Sequence, residues 1–408
     1  MNIVWAVGAE RHQVIPTRQR RPDPAASLAP ARSRTTPAAQ RSRIATLDWM
    51  RGLVMVLMVI DHASMAFDGN HLSEDSAFYP YAATMALPAG EFFTRWITHL
   101  CAPTFLFLAG AALALSVERR AAKGANAWSI DKGILVRGAL IALLDPTLIS
   151  LGSGRWTFQV LFAIGLAMMC MALLRRLSTP AMLGLSLGWF VLGELVTGWF
   201  WHPPGSSSVL AAFAVATYGT ATMVIKYPIV PWLAIMMLGW VLGRHILSYS
   251  DRAKALAPSV VLLLGGAAGL IVFAVVRYAG GYGDMFLPRT DGSWQQWLHV
   301  SKYPPSLTYF ALELGLLGVI LSALMRFEER IGFRPNGPIL VFGQTAMFFY
   351  LAHRLAFEVP ATYLGLRGAG DLATTYIVAA ITLVALYPAC RWYRAVKAAH
   401  PTSVLKYF

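Results

Sequence analysis

Long apolar runs alternate with short polar segments along most of the chain. Ten of these runs have the length of about twenty residues that a helix needs to cross the hydrocarbon core of a bilayer. The predicted spanning helices are 48–67, 92–117, 133–151, 156–175, 181–200, 228–247, 256–277, 305–325, 337–356 and 373–391. The pattern therefore predicts an all-α, polytopic transmembrane bundle of about ten helices.

A further apolar run, residues 207–225, contains glycine and threonine and resembles the ten predicted helices less closely. We interpret it as a re-entrant or interfacial segment. An eleventh spanning helix is the alternative, although it would change the number of crossings from even to odd. An odd number would place the two ends of the bundle on opposite sides of the membrane.

Glycines also lie within the predicted spans, at Gly110, Gly138, Gly165 and Gly239. Small residues in membrane helices let two backbones approach closely, so we expect these four positions to be helix contacts. The sequence has no Walker, dinucleotide-binding or G-x-S-x-G pattern in a strand–helix context. The glycines therefore predict packing rather than phosphate binding.

The composition agrees with a membrane protein. Hydrophobic residues make up 57% of the 408 residues and charged residues 13%, with a mean hydropathy of +0.54. Because a soluble domain carries about 25% charged residues, this chain is neither an ordinary soluble enzyme nor mainly disordered. The net charge of +14 would suit a nucleic-acid partner, but its distribution along the chain argues against one.

Basic residues are concentrated after every even-numbered predicted helix. They are Arg119, Arg120, Lys123 and Lys132; Arg175 and Arg176; Arg244, Arg252 and Lys254; Arg326, Arg330 and Arg334; and Arg391, Arg394, Lys397 and Lys406. The segment 68–91, after the first helix, carries four acidic residues and no Lys or Arg. By the positive-inside rule this alternation predicts that both termini are cytoplasmic.

The pattern divides the chain into three parts. Residues 1–43 hold eight Arg and no apolar stretch of signal-peptide length, which predicts a disordered basic cytoplasmic tail. Residues 44–398 form the predicted transmembrane domain, and 399–408 a cytoplasmic C-terminal tail. The three cysteines all lie in apolar segments without metal-ligand spacing, so we expect no metal site and no disulfide framework.

Several ionisable residues fall inside the predicted spans, where an unpaired charge is costly and marks a function or a buried pair. With the predicted topology, one group lies at a common depth near the outer side. Its members are Asp61, His62, Arg95, His99, Asp145 and His353. They come from four of the predicted helices, so the sequence predicts one polar layer without showing that its members meet.

The first predicted helix carries a polar face of its own. Asp48, Arg51 and His62 are separated by nearly whole turns at about 100° per residue. His62 lies about 16 Å beyond Arg51 along the axis, at about 1.5 Å per residue. A cation near the cytosol and an imidazole deep in the bundle suit an elongated anionic ligand.

These residue types also suit acyl transfer. His62 is a candidate general base for an attacking hydroxyl or amine. Asp145 or Asp61 is a candidate to orient it, and Asp145 is favoured because sequence neighbours on a helix point about 100° apart. His99 or Arg95 is a candidate to stabilise the oxyanion. Each of these residues has a structural alternative, namely a buried ion pair or a packed side chain.

Beyond the single residues, six stretches of the chain resemble a known family. They are RIATLDWMRGLVMVLMVIDH (43–62), FFTRWITHLCAPTFLFLAG (92–110), RGALIALLDPT (137–147), YPIVPWLAIMMLGWVLG (227–243), KYPPSLTYFALELG (302–315) and FGQTAMFFYLAH (342–353). In order and spacing they resemble the bacterial membrane family that shares the catalytic domain of heparan-α-glucosaminide N-acetyltransferase. The resemblance covers roughly residues 44–395.

The L-D-x-x-R-G start is also similar to the wider transmembrane acyltransferase superfamily. That resemblance implies a catalytic His62, a donor-side Arg51 and a role for His353, which matches a histidine of the last conserved helix. The human-type heparan enzyme differs, because it has Asn at the position of His62 and its catalytic histidine between the first two helices. This chain offers only His71 in that interval, in an unmatched context, so the acceptor stays open.

The resemblance implies an acyltransferase that uses acyl-CoA, most simply acetyl-CoA, as a co-substrate. The candidate phosphate-binding residues are Arg51, Arg119, Arg120, Arg137 and Arg175. The expected acceptor is a sugar, a cell-envelope glycan or a lipid head group at the outer side of a bacterial inner membrane, with an oligomer allowed. A proton-coupled transporter that uses the same Asp/His layer is the alternative, and a non-enzymatic scaffold is a third hypothesis.

Overall fold

The computed structural model describes residues 45–72, 76, 85–150, 154–203, 207–249, 255–332, 334–400, 402–403 and 405. These residues form one compact unit, an all-α polytopic bundle as predicted. The predicted disordered tail, residues 1–43, lies outside the described residues.

The described helices follow the apolar runs closely. They are α1 (Ala45–Phe67), α2 (Ala89–Ile97), α3 (Cys101–Ala122), α4 (Ala127–Leu144), α5 (Val160–Leu174), α6 (Thr179–Phe200), α7 (Val209–Ala214), α8 (Ile229–Tyr249), α9 (Pro258–Ala279), α10 (Trp294–Leu298), α11 (Leu307–Ile331), α12 (Pro338–Gln344), α13 (Ala346–Tyr363) and α14 (Leu372–Ala399). A 3₁₀ turn (Thr98–Leu100) joins α2 to α3, and a π-helical turn (Asp145–Ile149) follows α4.

Seven helical stretches of the described chain are long and apolar enough to cross a membrane: α1, α2–α3, α6, α8, α9, α11 and α14. The pair α12–α13 is an eighth candidate, bent by 95°. The predicted third helix corresponds to α4, which carries the charged residues Asp131, Lys132 and Arg137. The predicted fourth helix corresponds to α5, which has only 15 residues. Ten crossings therefore remain a prediction, since these two helices are too charged or too short by the same criterion.

Residues 207–225 do not form an eleventh spanning helix. Their described part holds the short helix α7 and two short strands, β2 (Tyr218–Gly219) and β3 (Met223–Ile225). Strand β3 pairs in parallel with β1 (Trp156–Phe158) and antiparallel with β2. Strand β1 lies where the fourth helix was predicted to begin, and this explains why α5 is short.

The predicted glycine contacts are confirmed. A Cβ on Gly110 would meet the backbone of α8 at Met236, and a Cβ on Gly239 would meet the backbone of α3 at Phe107. Gly138 and Gly165 face each other in the same way between α4 and α5. These glycines thus bring α3 against α8 and α4 against α5 at backbone distance.

The two ends of the bundle differ in charge. Helices α1 and α3 run antiparallel, because the Cys101 thiol donates to the Val54 carbonyl while Arg95, before α3, meets Asp61 near the end of α1. The basic end of α3 therefore lies at the end of the bundle that contains Arg51. The basic end of α11 lies there too, because Glu328 accepts from the backbone nitrogens of Ala45 and Thr46. We call this the Arg51 end and the opposite one the His62 end. That the Arg51 end is cytoplasmic stays a prediction.

Candidate active site

Two histidines from distant parts of the chain form the centre of the polar layer. His62 Nδ1 lies 2.7 Å from His353 Nε2, and the two rings stack with centroids 5.0 Å apart. Helix α1 supplies His62 and α13 supplies His353, which is completely buried. Tyr350, one turn before His353, packs edge-on against both rings. The structure thus brings His62 and His353, two of the six predicted residues, into direct contact, and it pairs Asp61 with Arg95 separately.

The hydrogen bonds of this pair assign the ring protons. His353 Nδ1 lies 2.8 Å from the carbonyl oxygen of Phe349, so it must carry a proton and donate it. In the neutral ring His353 Nε2 then accepts, and the donor is His62 Nδ1. His62 Nε2 is left with its lone pair and makes no hydrogen bond within the described chain. His62 as a whole residue is partly exposed.

The Asp61 carboxylate belongs to a separate group. It accepts from Arg95 Nη1 at 2.7 Å and from Thr98 Oγ1 at 2.8 Å. Asp61 follows the direction that helix geometry predicts, since it points away from its neighbour His62 toward α2 and the 3₁₀ turn. Arg95 is therefore neutralised by Asp61 and is not presented as an open oxyanion donor.

Asp145 also has a different partner from the one that we predicted. Its Oδ2 accepts from the backbone nitrogens of Gln159 and Phe162, each at 2.8 Å, and so caps the start of α5. The expectation that Asp145 or Asp61 orients His62 is corrected, because His353 occupies that position. Asp145 Oδ1 is buried without a hydrogen-bond partner in the described chain.

The remaining histidines near this end lie apart from the central pair. His99 is buried, its ring packs against Tyr309 of α11, and its carbonyl accepts from the Tyr309 hydroxyl. His71 Nδ1 lies 2.9 Å from the Ser64 hydroxyl, just beyond the end of α1. These contacts tie both residues to the packing around α1 and α11.

Two arginines approach each other in the Arg51 half of the bundle. Arg51 of α1 forms an ion pair with Asp48 at 2.7 Å and reaches the carbonyl of Gly343 at 3.4 Å. Arg137 of α4 lies close enough to Arg51 for the two charges to repel. Its side chain is exposed and forms no ion pair or hydrogen bond with described residues. Two neighbouring guanidinium groups, one of them without a carboxylate partner in the described chain, can bind an anion.

The other predicted donor-side arginines are mostly engaged with the protein. Arg175 donates to Asp131 at 2.6 Å, and Arg120 donates to the carbonyl of Ser129 at 2.9 Å. Arg119 lies near the exposed C-terminal end of α3. The structure therefore distinguishes Arg51 and Arg137, which lie near each other, from Arg120 and Arg175, which connect neighbouring helix ends.

Sequence reasoning missed the neighbour of His353. Arg354 is buried, lies 3.2 Å from Glu358, and interacts electrostatically with both His62 and Asp145. It also borders a cavity of about 110 Å³ between the π-helical turn after α4 and α13. The signal in the sequence was an intramembrane arginine directly after a candidate histidine.

The chain matches one known family. The family described as "Heparan-alpha-glucosaminide N-acetyltransferase, catalytic" matches residues 43–277, more than half of the chain. The matched segment contains His62, Arg51, Arg137 and Asp145 and ends before α13, which carries His353. No curated protein matches the chain.

Proposed function

Because the chain belongs to the heparan-alpha-glucosaminide N-acetyltransferase catalytic-domain family, we propose that it is an integral membrane acyltransferase using acetyl-CoA. The observation that carries the proposal is the His62–His353 pair, which leaves His62 Nε2 with a free lone pair at a partly exposed position. An imidazole in that state is the usual general base for acyl transfer near neutral pH.

The tautomer of His62, with its proton on Nδ1 and a lone pair on Nε2, determines the proposed order of proton transfers. The acceptor hydroxyl or amine attacks the acyl carbon, and His62 Nε2 takes its proton as the new bond forms. The carbon–sulfur bond breaks, and the proton passes from His62 to the departing thiolate, which leaves as CoA. His353 Nε2 accepts from His62 Nδ1 throughout and stabilises the imidazolium, as a positioning residue rather than as the base.

The donor is proposed to bind from the Arg51 end. Arg51 and Arg137 lie near each other and would bind the phosphates of CoA, because charge-assisted bonds from guanidinium groups to phosphate are strong. His62 lies about 16 Å further along α1, which leaves the linear arm of CoA to carry the thioester to the base. The acceptor, a sugar, a glycan or a lipid head group, would approach from the His62 end. We place the protein in a bacterial inner membrane with its Arg51 end in the cytoplasm.

The decisive experiment is transfer from radiolabelled acetyl-CoA by purified protein in nanodiscs, with wild type compared with His62→Ala. Label on lipid, on added amino sugar or on the protein in wild type alone supports the acyltransferase with His62 as base. A matched His245→Ala variant controls for the loss of an imidazole, since His245 lies near the far end of α8 and its ring bonds the Leu256 carbonyl. Equal transfer by wild type and His62→Ala would remove His62 from the mechanism.

The proton-coupled transporter remains the competing hypothesis, and a second arm of the experiment distinguishes it. Protein reconstituted in liposomes without CoA would then accumulate a solute in response to a proton gradient. Failure of both wild type and His62→Ala to bind acetyl-CoA would contradict the enzyme and favour the transporter.

A further inference from the structure

A cavity of about 810 Å³ lies at the Arg51 end of the bundle, between α12 and the last turns of α14. Its position at this end follows from α12, because a Cβ on Gly343 would meet the backbone of Asp48 near the start of α1. The volume is within the range of about 300–1,000 Å³ that is usual for ligand pockets. The cavity lies outside the segment that the family matches, residues 43–277. The lining side chains used below are Leu340, Pro388, Arg391, Trp392, Arg394 and Ala395.

The position of this cavity along α14 places it at a membrane surface. Helix α14 is one of the candidate spanning helices and starts at the His62 end, where the Gly370 nitrogen donates to the Phe67 carbonyl. At about 1.5 Å per residue, Arg391 lies about 28 Å and Arg394 about 33 Å beyond Leu372, the first residue of α14. Because the hydrocarbon core of a bilayer is about 30 Å thick, both guanidinium groups lie at the level of the lipid head groups.

Two arginines give the cavity a positive charge that no carboxylate of its lining neutralises. Arg394 donates to three neutral oxygens in α12 and just before it, at 2.6, 2.7 and 3.1 Å. Arg391 is exposed and lies over the ring of Tyr387, 5.8 Å from its centroid. Neither arginine forms an ion pair with a described residue. Guanidinium groups in that state are well suited to bind a phosphate.

The rest of the lining is mainly apolar and reaches the outside of the bundle. Leu340, Pro388 and Ala395 contribute apolar surface, and Trp392 is 63% exposed. Tryptophan is enriched where a membrane meets water, which agrees with the depth of the two arginines. A phospholipid joins a phosphate to acyl chains and therefore matches both parts of this lining. The ammonium of a zwitterionic head group would be repelled by the two arginines, so an anionic head group fits better.

We propose that this cavity binds an anionic phospholipid, with Arg391 and Arg394 at its phosphate and the apolar lining against its acyl chains. Basic pockets between membrane helices on the cytoplasmic side are a usual site for anionic head groups. The predicted cytoplasmic position of the Arg51 end agrees with such a site. The inference does not depend on the proposed acyl transfer, because it concerns the membrane around the bundle.

The test is native mass spectrometry of the full chain in detergent, titrated with dioleoyl phosphatidylglycerol or dioleoyl phosphatidylcholine. The two lipids share their acyl chains and differ in head-group charge. We expect wild type to bind the first phosphatidylglycerol molecule about tenfold more tightly than phosphatidylcholine. Arg391→Gln should lower the affinity for phosphatidylglycerol about five- to tenfold. Ala395→Phe keeps both charges but fills part of the cavity, so it should weaken binding of phosphatidylglycerol as well.

Arg330→Gln is the matched control. Arg330 is an exposed arginine in the last turn of α11, at the same end of the bundle, and it does not line the cavity. Its variant should keep the wild-type preference for phosphatidylglycerol. Size-exclusion chromatography establishes that each variant is folded before its affinity is compared.

Several outcomes would overturn the lipid site. They are equal affinity of wild type for the two lipids, a preference unchanged in both Arg391→Gln and Ala395→Phe, and a loss in Arg330→Gln as large as in Arg391→Gln. Glycerol 3-phosphate is the probe for a site that binds phosphate alone, and it should not displace the lipid at concentrations that saturate with phosphatidylglycerol. Displacement by acetyl-CoA would assign the cavity to the nucleotide of the donor instead and would also overturn the proposal.

Discussion

The assignment of ring protons makes His353 the most informative position to change. Replacing it with Phe fills a similar volume but removes the acceptor for His62 Nδ1–H. Without that acceptor His62 is free to place its proton on Nε2, where the base must have a lone pair. The hydrogen bond would be strongest when His62 is protonated during transfer, so its loss should act on kcat.

The size of the effect follows from that hydrogen bond. A hydrogen bond to a charged group contributes about 1.5–3 kcal/mol. At about 1.4 kcal/mol per factor of ten, His353→Phe should lower kcat about 10- to 150-fold. Gln is the matched rescue, because its side-chain oxygen can accept from His62 Nδ1. We therefore expect His353→Gln to retain more activity than His353→Phe.

The assay is acetyl transfer in nanodiscs as a function of pH, with acetyl-CoA saturating. Transfer rates close to wild type in both His353→Phe and His353→Gln would refute the argument that His353 holds His62 in the tautomer with a lone pair on Nε2. Loss in both variants as complete as in His62→Ala would refute it differently, because it would make His353 the base. Circular dichroism and size-exclusion chromatography in detergent establish that each variant is folded before its rate is interpreted.

Three further predictions concern the donor-side arginines and the bundle. Arg51→Gln and Arg137→Gln should each weaken acetyl-CoA binding by about tenfold in calorimetry, and added salt should weaken wild-type binding more than that of the double variant. Gly239→Ala should lower the free energy of unfolding by about 1–3 kcal/mol, because the added Cβ would meet the α3 backbone. Arg277→Met should destabilise by about 3–5 kcal/mol, since it leaves the buried Asp284 carboxylate without its ion-pair partner at 2.8 Å.

Each of these predictions has a control within the chain. Arg120→Gln removes a guanidinium that bonds Ser129 and should leave acetyl-CoA affinity unchanged. Gly184→Ala adds a Cβ on α6 where open space surrounds it and should have little effect on stability. Replacing Arg277 and Asp284 together should be less damaging than Arg277→Met alone. An equal or larger loss in the double variant would contradict the ion-pair explanation.

The sequence predicted the fold class because membrane helices require long apolar runs, and those runs are local. The sequence analysis predicted more continuous membrane-spanning helices than the structure has, because the local structure departs from a straight helix at two places. The chain after α4 continues as a π-helical turn at Asp145, and strand β1 occupies the start of the predicted fourth helix. Neither feature changes hydropathy, so an apolar-run criterion does not detect it.

The site was predictable in its residue types and less so in its pairings. His62 stands out because an intramembrane histidine follows an arginine on the same helical face. Its partner is separated from it by 291 residues, and no local pattern shows which of several buried groups meets it. Helix geometry favoured Asp145 as the residue that orients His62. The structure shows instead that Asp145 Oδ2 accepts hydrogen bonds from backbone nitrogens at the start of α5. Arg354 and Arg277 were overlooked because single arginines near helix ends usually anchor the helix at the membrane interface.

The distances along α1 separate the two hypotheses for this fold. Arg51 lies about 9 Å from the start of the helix and His62 about 16 Å further, so the two residues lie in opposite halves of a hydrocarbon core about 30 Å thick. In the proposed reaction the phosphates of acetyl-CoA stay at Arg51 and its thioester reaches His62. Only the linear arm of acetyl-CoA then crosses the midplane of the membrane. In the proposed reaction the acceptor approaches from the His62 end, so transfer needs no alternation of the bundle between two open states. A transporter with the same residues requires that alternation. A cross-link between α1 and α12, placed outside the close backbone contact of Gly52 with Ile339, should therefore spare acetyl transfer, whereas a transporter that moves these helices apart would stop.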